Sequence, residues 1–263
     1  MTLTRTERRV AVTLCRLLNR LGAPAHLKVI PTNVLGEEWF AHVGYFTRLF
    51  EQVQGIEGDI VECGVGGGKS FSILASLIRG ERSGRTLWGF DSWCGLPAPL
   101  EADVDGASIA KRGAFSEMTP AEVLLRLEQV GFHDLDRIRF VRGELASTLS
   151  KAPLERIALL HVDVDLYQSY LDALENLWPK IEPGGIVALD EYHDARWPGA
   201  KRAVDEFLVD ASGRLVRDPL IGLYYIVKTP VLRFARPGRN GGDAGAEGLE
   251  PPAYSFGDRR STN

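Results

Sequence analysis

Glu62-Cys63-Gly64-Val65-Gly66-Gly67-Gly68-Lys69-Ser70 stands between the apolar run Asp59-Ile60-Val61 and the helix-like Ser72-Ile73-Leu74-Ala75-Ser76-Leu77-Ile78. The stretch reads as a strand, a glycine turn and a helix. Glycine suits such a turn because the backbone reverses sharply and lets a ligand lie against it with no Cβ in the way. Spacing then sorts the ligands. A P-loop needs four residues between its first glycine and Gly-Lys-Ser; Cys63 occupies that first position, and Gly64 comes one residue too late. The dinucleotide fingerprint G-x-G-x-x-G, started at Gly64 and Gly66, requires a glycine where Lys69 stands. Both phosphate readings fail by one residue. What remains is an acid followed by alternating glycines, Glu62-x-Gly64-x-Gly66-x-Gly68.

Outward from the turn, short apolar runs alternate with helical patterns. Strands are expected over 59–63, 86–90, 138–142, 157–162, 186–189, 214–216 and 223–227. Thr119-Pro120-Ala121-Glu122 is a capping box with proline at the first helical position, and a helix over 170–178 is expected to stop at Pro179. Strands separated by helices imply an α/β fold, a Rossmann-like parallel sheet covered on both faces. The last two strands, joined by a few residues around Pro219, are expected to pair antiparallel at the sheet edge. Residues 1–55 read as an N-terminal helical cap, with Leu14, Leu17, Leu18 and Leu21 on one face and Phe40, Val43, Phe46 and Phe50 on another. The core domain is expected over 56–235. Residues 236–263, rich in glycine and charge, are expected to form a disordered tail.

A chain of 263 residues with 44% hydrophobic residues is sufficient for one large core. Its formal net charge of −4 gives no electrostatic reason to expect a nucleic-acid partner. Cys15, Cys63 and Cys94 lack metal-ligand spacing and imply a reducing, cytoplasmic compartment. The N-terminus lacks the apolar core of a signal peptide and no stretch is long enough to span a bilayer, so no membrane association is expected.

In a sheet of this kind ligands collect at the carboxyl ends of the strands, and acids fall there. The second strand runs into Trp88-Gly89-Phe90-Asp91-Ser92-Trp93, which places Asp91 to accept hydrogen bonds from the ribose hydroxyls of an adenosine ligand. The fourth strand runs into His161-Val162-Asp163-Val164-Asp165-Leu166-Tyr167. Alternation places Asp163 and Asp165 on one side, roughly 6 to 7 Å apart. The fifth runs into Asp190-Glu191-Tyr192-His193-Asp194. Neighbouring strands lie roughly 4.8 Å apart, so Asp163 and the pair Asp190-Glu191 can converge. Three carboxylates without cysteine suit a hard divalent cation, magnesium or calcium or manganese, over zinc. The bland alternative is that these acids cap helices, Asp194 above all.

The glycine motif resembles the first motif of S-adenosylmethionine (SAM)-dependent methyltransferases. Together with Phe90-Asp91-Ser92-Trp93-Cys94-Gly95-Leu96-Pro97, Val162-Asp163-Val164-Asp165-Leu166-Tyr167-Gln168-Ser169, Pro183-Gly184-Gly185 through Asp190-Glu191-Tyr192, and Ala200-Lys201-Arg202-Ala203-Val204-Asp205-Glu206-Phe207, it resembles the macrocin O-methyltransferase family, which methylates sugar hydroxyls on antibiotics. The resemblance implies a class I methyltransferase sheet of seven strands. It implies SAM held by Glu62, Gly64, Gly66, Gly68, Ser70, Asp91 and Ser92, and magnesium held by Asp163, Asp190 and Glu191. Asp165 becomes the candidate general base, with His193 and His161 behind it. A small hydroxylated, sugar-containing acceptor and a homo-oligomer are the partners implied. The long connection over 97–116 is either a lid or a surface insertion. A metal-independent methyltransferase and a non-catalytic SAM-binding protein remain the rival readings.

Overall fold

The computed structural model describes residues 37–230 apart from 106, 117, 130, 133 and 134. The expected helix around Leu14–Leu21 and the expected tail at 236–263 lie outside the described residues. The described residues form seven strands: β1 (Asp59–Cys63), β2 (Leu87–Asp91), β3 (Ile138–Arg142), β4 (Ile157–Val162), β5 (Ile181–Leu189), β6 (Gly213–Arg217) and β7 (Tyr224–Lys228). They form one sheet in the order β3-β2-β1-β4-β5-β7-β6. Strands β1 to β5 pair in parallel, while β7 runs antiparallel to both β5 and β6. The strand order reverses between β1 and β4, which opens a crevice at their carboxyl ends.

Among the described residues six α-helices cover the two faces: α1 (Glu37–Gln52), α2 (Lys69–Glu81), α3 (Pro120–Gln129), the short α4 (Leu145–Thr148), α5 (Tyr167–Leu177) and α6 (Pro198–Leu208). Period-two alternation sorts the strand residues between them. Ile60, Leu159, Ile186 and Ala188 pack with Phe46 and Leu49 of α1, Phe71 and Leu74 of α2, and Val123 and Leu127 of α3. Val61, Leu160, Val187 and Leu189 face the other way, towards Leu174 and Leu177 of α5 and Val204 of α6. Burial of Tyr45, Phe46, Leu49 and Phe50 holds α1 to the sheet, each such side chain contributing about 1.5 to 3 kcal/mol. Arg48 adds a two-pronged pair with Asp218 beyond β6. Phe40, expected on the packed face, is instead 60% exposed, because the packed stripe of α1 runs through Trp39, Val43, Phe46 and Phe50 and Phe40 falls beside it.

The capping box forms: Glu122 Oε2 accepts from the Thr119 backbone N–H at 2.9 Å, and Thr119 Oγ1 accepts from that of Glu122 at 3.3 Å. Two element starts differ from expectation by more than one residue. β5 begins at Ile181 rather than Ile186 because Pro183-Gly184-Gly185 is not a separate turn but a bulge inside the strand, where pairing jumps from Ile157↔Ile181 to Leu159↔Ile186. β4 ends at Val162 as expected, but Asp165 beyond it has φ +62°, so simple alternation does not relate Asp163 to Asp165. That left-handed residue turns the chain early, and α5 starts at Tyr167 rather than Tyr170. Among the described residues no helix is long and apolar enough to cross a membrane.

Candidate active site

A cleft of about 1350 Å³ opens over the carboxyl ends of the parallel strands. That exceeds the roughly 300–1,000 Å³ of an ordinary single-ligand pocket, so it has room for two ligands side by side. One half is built by the glycine turn. Gly64, at φ +87°, passes so close to β4 that a Cβ there would lie 1.6 Å from the Asp163 carbonyl oxygen. Gly68, at φ +74°, starts α2 and sits under Val123, whose Cγ1 would be 2.7 Å from an added Cβ. Gly66, by contrast, has nothing within 4 Å of an added Cβ, so the space beside it is open. Its N–H donates to Asp91 Oδ2 at 2.8 Å, and the N–H of Trp93 donates to Asp91 Oδ1 at 2.7 Å. Asp91 is thereby fixed at the end of β2 with a second lone pair on each oxygen still available. Asp91, Ser92, Gly64, Gly66 and Ser70 all line the cleft.

Glu62 and Gly68 do not line it. Glu62 is fully buried behind the turn, with Oε1 at 2.8 Å from His161 Nδ1 and Oε2 without a hydrogen-bond partner among the described residues. The Phe46 ring meets His161 edge-on at 4.9 Å. Burial raises Glu62 above the usual carboxylate range, with the His161 bond opposing. Burial would lower His161, but the Asp190 and Glu62 carboxylates outweigh it and push the imidazole up to about 10. His161 is therefore a buried partner of acids, not a group open to a substrate.

The other half of the cleft holds the acids. Asp163, Asp190 and Glu191 each place a carboxylate oxygen within 4.8 Å of the others. Burial, then the charge of Asp190, pushes Asp163 well above the usual range; burial, then the charges of Asp163 and Asp190, does the same to Glu191. Tyr170 donates its hydroxyl to Glu191 Oε2 at 2.6 Å, which aims that side chain. Burial would raise Asp190 too, but the His161 imidazole, Nε2 at 3.9 Å, holds it below. Oxygen-only donors this close, two of them driven towards their neutral forms, fit a hard divalent cation, whose charge would relieve the repulsion. Asp165 is pushed up to about 7 by burial and then by the charges of Asp190 and Asp194. It lines the cleft beside the cluster, as does the exposed His193.

Several lining residues escape a reading by strand ends. His42 comes from α1 and acts electrostatically on Asp190. Arg126 comes from α3 and donates to the Gly67 carbonyl. Its only signal in the sequence is a cation between the buried Val123 and Leu127 of an otherwise apolar helix face. Ile221 and Leu223 come from the β6–β7 connection and carry no such signal.

Residues 35–223 match the family described as Macrocin-O-methyltransferase (TylF). The 8-demethyl-8-(2,3-dimethoxy-alpha-L-rhamnosyl)-tetracenomycin-C 4'-O-methyltransferase of Streptomyces olivaceus is 33% identical over 177 residues. That match takes in 60% of this chain and 66% of the relative, just under two thirds of the relative's length. Among solved structures, the O-methyltransferase NovP superposes with a TM-score of 0.63 at 30% identity, covering 72% of this chain and 79% of NovP. A calicheamicin methyltransferase, CalS11, gives 0.63 at 27% identity over 86% of this chain and 94% of its own. With the family match running from ahead of α1 to the residue before β7, most of the chain, the chain belongs to the macrocin O-methyltransferase family.

Proposed function

We propose that this protein transfers a methyl group from SAM to a hydroxyl of a sugar or glycosylated natural product, with magnesium at the acid cluster. One observation carries the reading: a glycine turn with its partner Asp91 and a compact group of three carboxylates, with Asp165 beside it, line one cleft. Gly64, Gly66, Ser70, Asp91 and Ser92 are the residues that would hold SAM, with Glu62 and Gly68 shaping the turn from behind. Bound SAM supplies an electrophilic methyl on a sulfonium. Asp163, Asp190 and Glu191 would hold the cation. Bound magnesium supplies a positive charge that orients a hydroxyl and acidifies it. The protein's own task is to hold donor and acceptor in line and to take the acceptor proton. Asp165, beside the cluster but not part of its tight triad, is the group assigned to that proton, with His193 as the alternative.

Asp91→Ala should weaken SAM binding by about 1.5 to 3 kcal/mol, the range for a lost hydrogen bond to a charged group. Calorimetry checks it, and an unchanged affinity in a folded variant removes Asp91 from the site. For the reaction, hydroxylated sugars and glycosylated natural products are screened for methyl transfer with and without magnesium. Chelator should abolish turnover and leave SAM affinity nearly intact, because the cation is assigned to the acceptor side. Full activity after rigorous metal removal favours a metal-independent methyltransferase.

A further inference from the structure

The segment 97–116, which lends Pro97, Ile109, Phe115 and Ser116 to the lining of the cleft, contains a buried acid that the proposed chemistry does not use. Asp103 lies in a short 3-10 turn, Glu101–Asp103, and is 2% exposed. Its Oδ1 accepts the backbone N–H of Tyr167 at 2.7 Å, and its Oδ2 accepts that of Leu100 at 2.8 Å. The Ser108 hydroxyl donates to the Asp103 carbonyl at 2.5 Å. Tyr167 is the first residue of α5, two positions after Asp165. Against the same carboxylate lies Gly199, in the first turn of α6; a Cβ there would sit 1.9 Å from Asp103 Oδ1. One carboxylate thus bonds the segment to the start of α5 and packs against the start of α6, the two helices that follow the acid-bearing loops.

The rest of the segment is tied in the same direction. Ile109 N–H donates to the Arg196 carbonyl at 3.4 Å, and Leu96 exchanges backbone bonds with Gly113 and Ala114 at 2.8 and 2.9 Å. Ile109 itself and Phe115, next to Ala114, line the cleft while 51% and 60% exposed. The Phe115 ring lies 6.2 Å from that of the buried Trp197. A large apolar side chain left half in water beside a polar cluster is a surface for the apolar part of a ligand.

We infer that Asp103 is a positioning residue: it locks residues 97–116 as a built wall, setting Ile109 and Phe115 against the apolar part of the acceptor. This rests on the methyl-transfer reading for the acceptor's identity but not for the lock itself. The lock is tested on the full chain by hydrogen–deuterium exchange of the wild type, Asp103→Ala, Asp103→Asn and Gly199→Ala. Calorimetry with S-adenosylhomocysteine runs alongside. Peptides covering 97–116 and the start of α5 should exchange about tenfold faster in Asp103→Ala, the shift expected when one or two hydrogen bonds holding a local unit are lost. Gly199→Ala should match it without altering any charge. Asp103→Asn keeps one acceptor oxygen and should fall between. S-adenosylhomocysteine affinity and the sheet peptides should stay at wild-type values. Unchanged exchange in Asp103→Ala, or protection lost throughout the sheet together with cofactor affinity, overturns the positioning role. Failure of the wild type to bind S-adenosylhomocysteine would overturn the methyl-transfer reading, and the exchange comparison would still decide the lock.

Discussion

Gly64→Ala is expected to destabilise the fold by about 2 to 5 kcal/mol, enough to lose most of the stability of an ordinary domain. Two costs add at this position. The backbone holds φ +87°, outside the range L side chains adopt without strain, and the new Cβ would lie 1.6 Å from the Asp163 carbonyl oxygen. That oxygen cannot move aside cheaply, because the same residue's N–H is bonded to the Cys63 carbonyl at 2.9 Å, fixing β4 against β1. Gly66→Ala provides the contrast. It has φ +48° and open space around an added Cβ, so only the left-handed cost of about 1 to 2 kcal/mol remains. Urea denaturation of both variants measures the difference; equal midpoints would show that β1 and β4 do not pack at Gly64 as described.

Asp165→Asn is expected to lower the rate of methyl transfer by roughly 100-fold or more while leaving metal and SAM affinity within a small factor of wild type. Asparagine keeps the size and some of the hydrogen bonding of aspartate but cannot take a proton. Asp163→Ala and Asp190→Ala should behave differently: metal affinity and rate fall together, and excess magnesium restores part of the rate. The separation follows from geometry, since Asp163, Asp190 and Glu191 share one 4.8 Å cluster while Asp165 turns away from β4 at φ +62°. If Asp165→Asn kept most of its rate and His193→Ala lost it, the proton would belong to His193.

The glycine turn, the parallel sheet and the acids at the strand ends were legible in the sequence because each is a local pattern. Apolar runs of strand length stop at glycine or aspartate, and in an open parallel sheet such stops share one edge. One further reading was available in principle. Glu62 has the parity of Ile60, which packs among α1 and α2, so alternation already turns it away from the cleft and towards His161 on the neighbouring strand. Pro183-Gly184-Gly185 carries the residues of a bulge as much as those of a turn, and only pairing with β4 distinguishes them. What was not legible depends on contacts between distant segments. His42 reaches the cleft from α1, Arg126 from α3, and Asp103 meets Gly199 across 96 positions of chain. Neither the spacing nor the residue types around them announce those meetings. The resemblance to the family did not announce them either, since its motifs include none of His42, Arg126, Asp103 and Gly199.

The central claim is a SAM site formed by the glycine turn and Asp91, and titration calorimetry of the intact chain with S-adenosylhomocysteine and, separately, with ATP tests it most directly. Saturable binding of S-adenosylhomocysteine that weakens in Asp91→Ala, with no heat from ATP, is the predicted result. Tight ATP binding with none for S-adenosylhomocysteine would contradict it and return the turn to the phosphate binders that its spacing excludes.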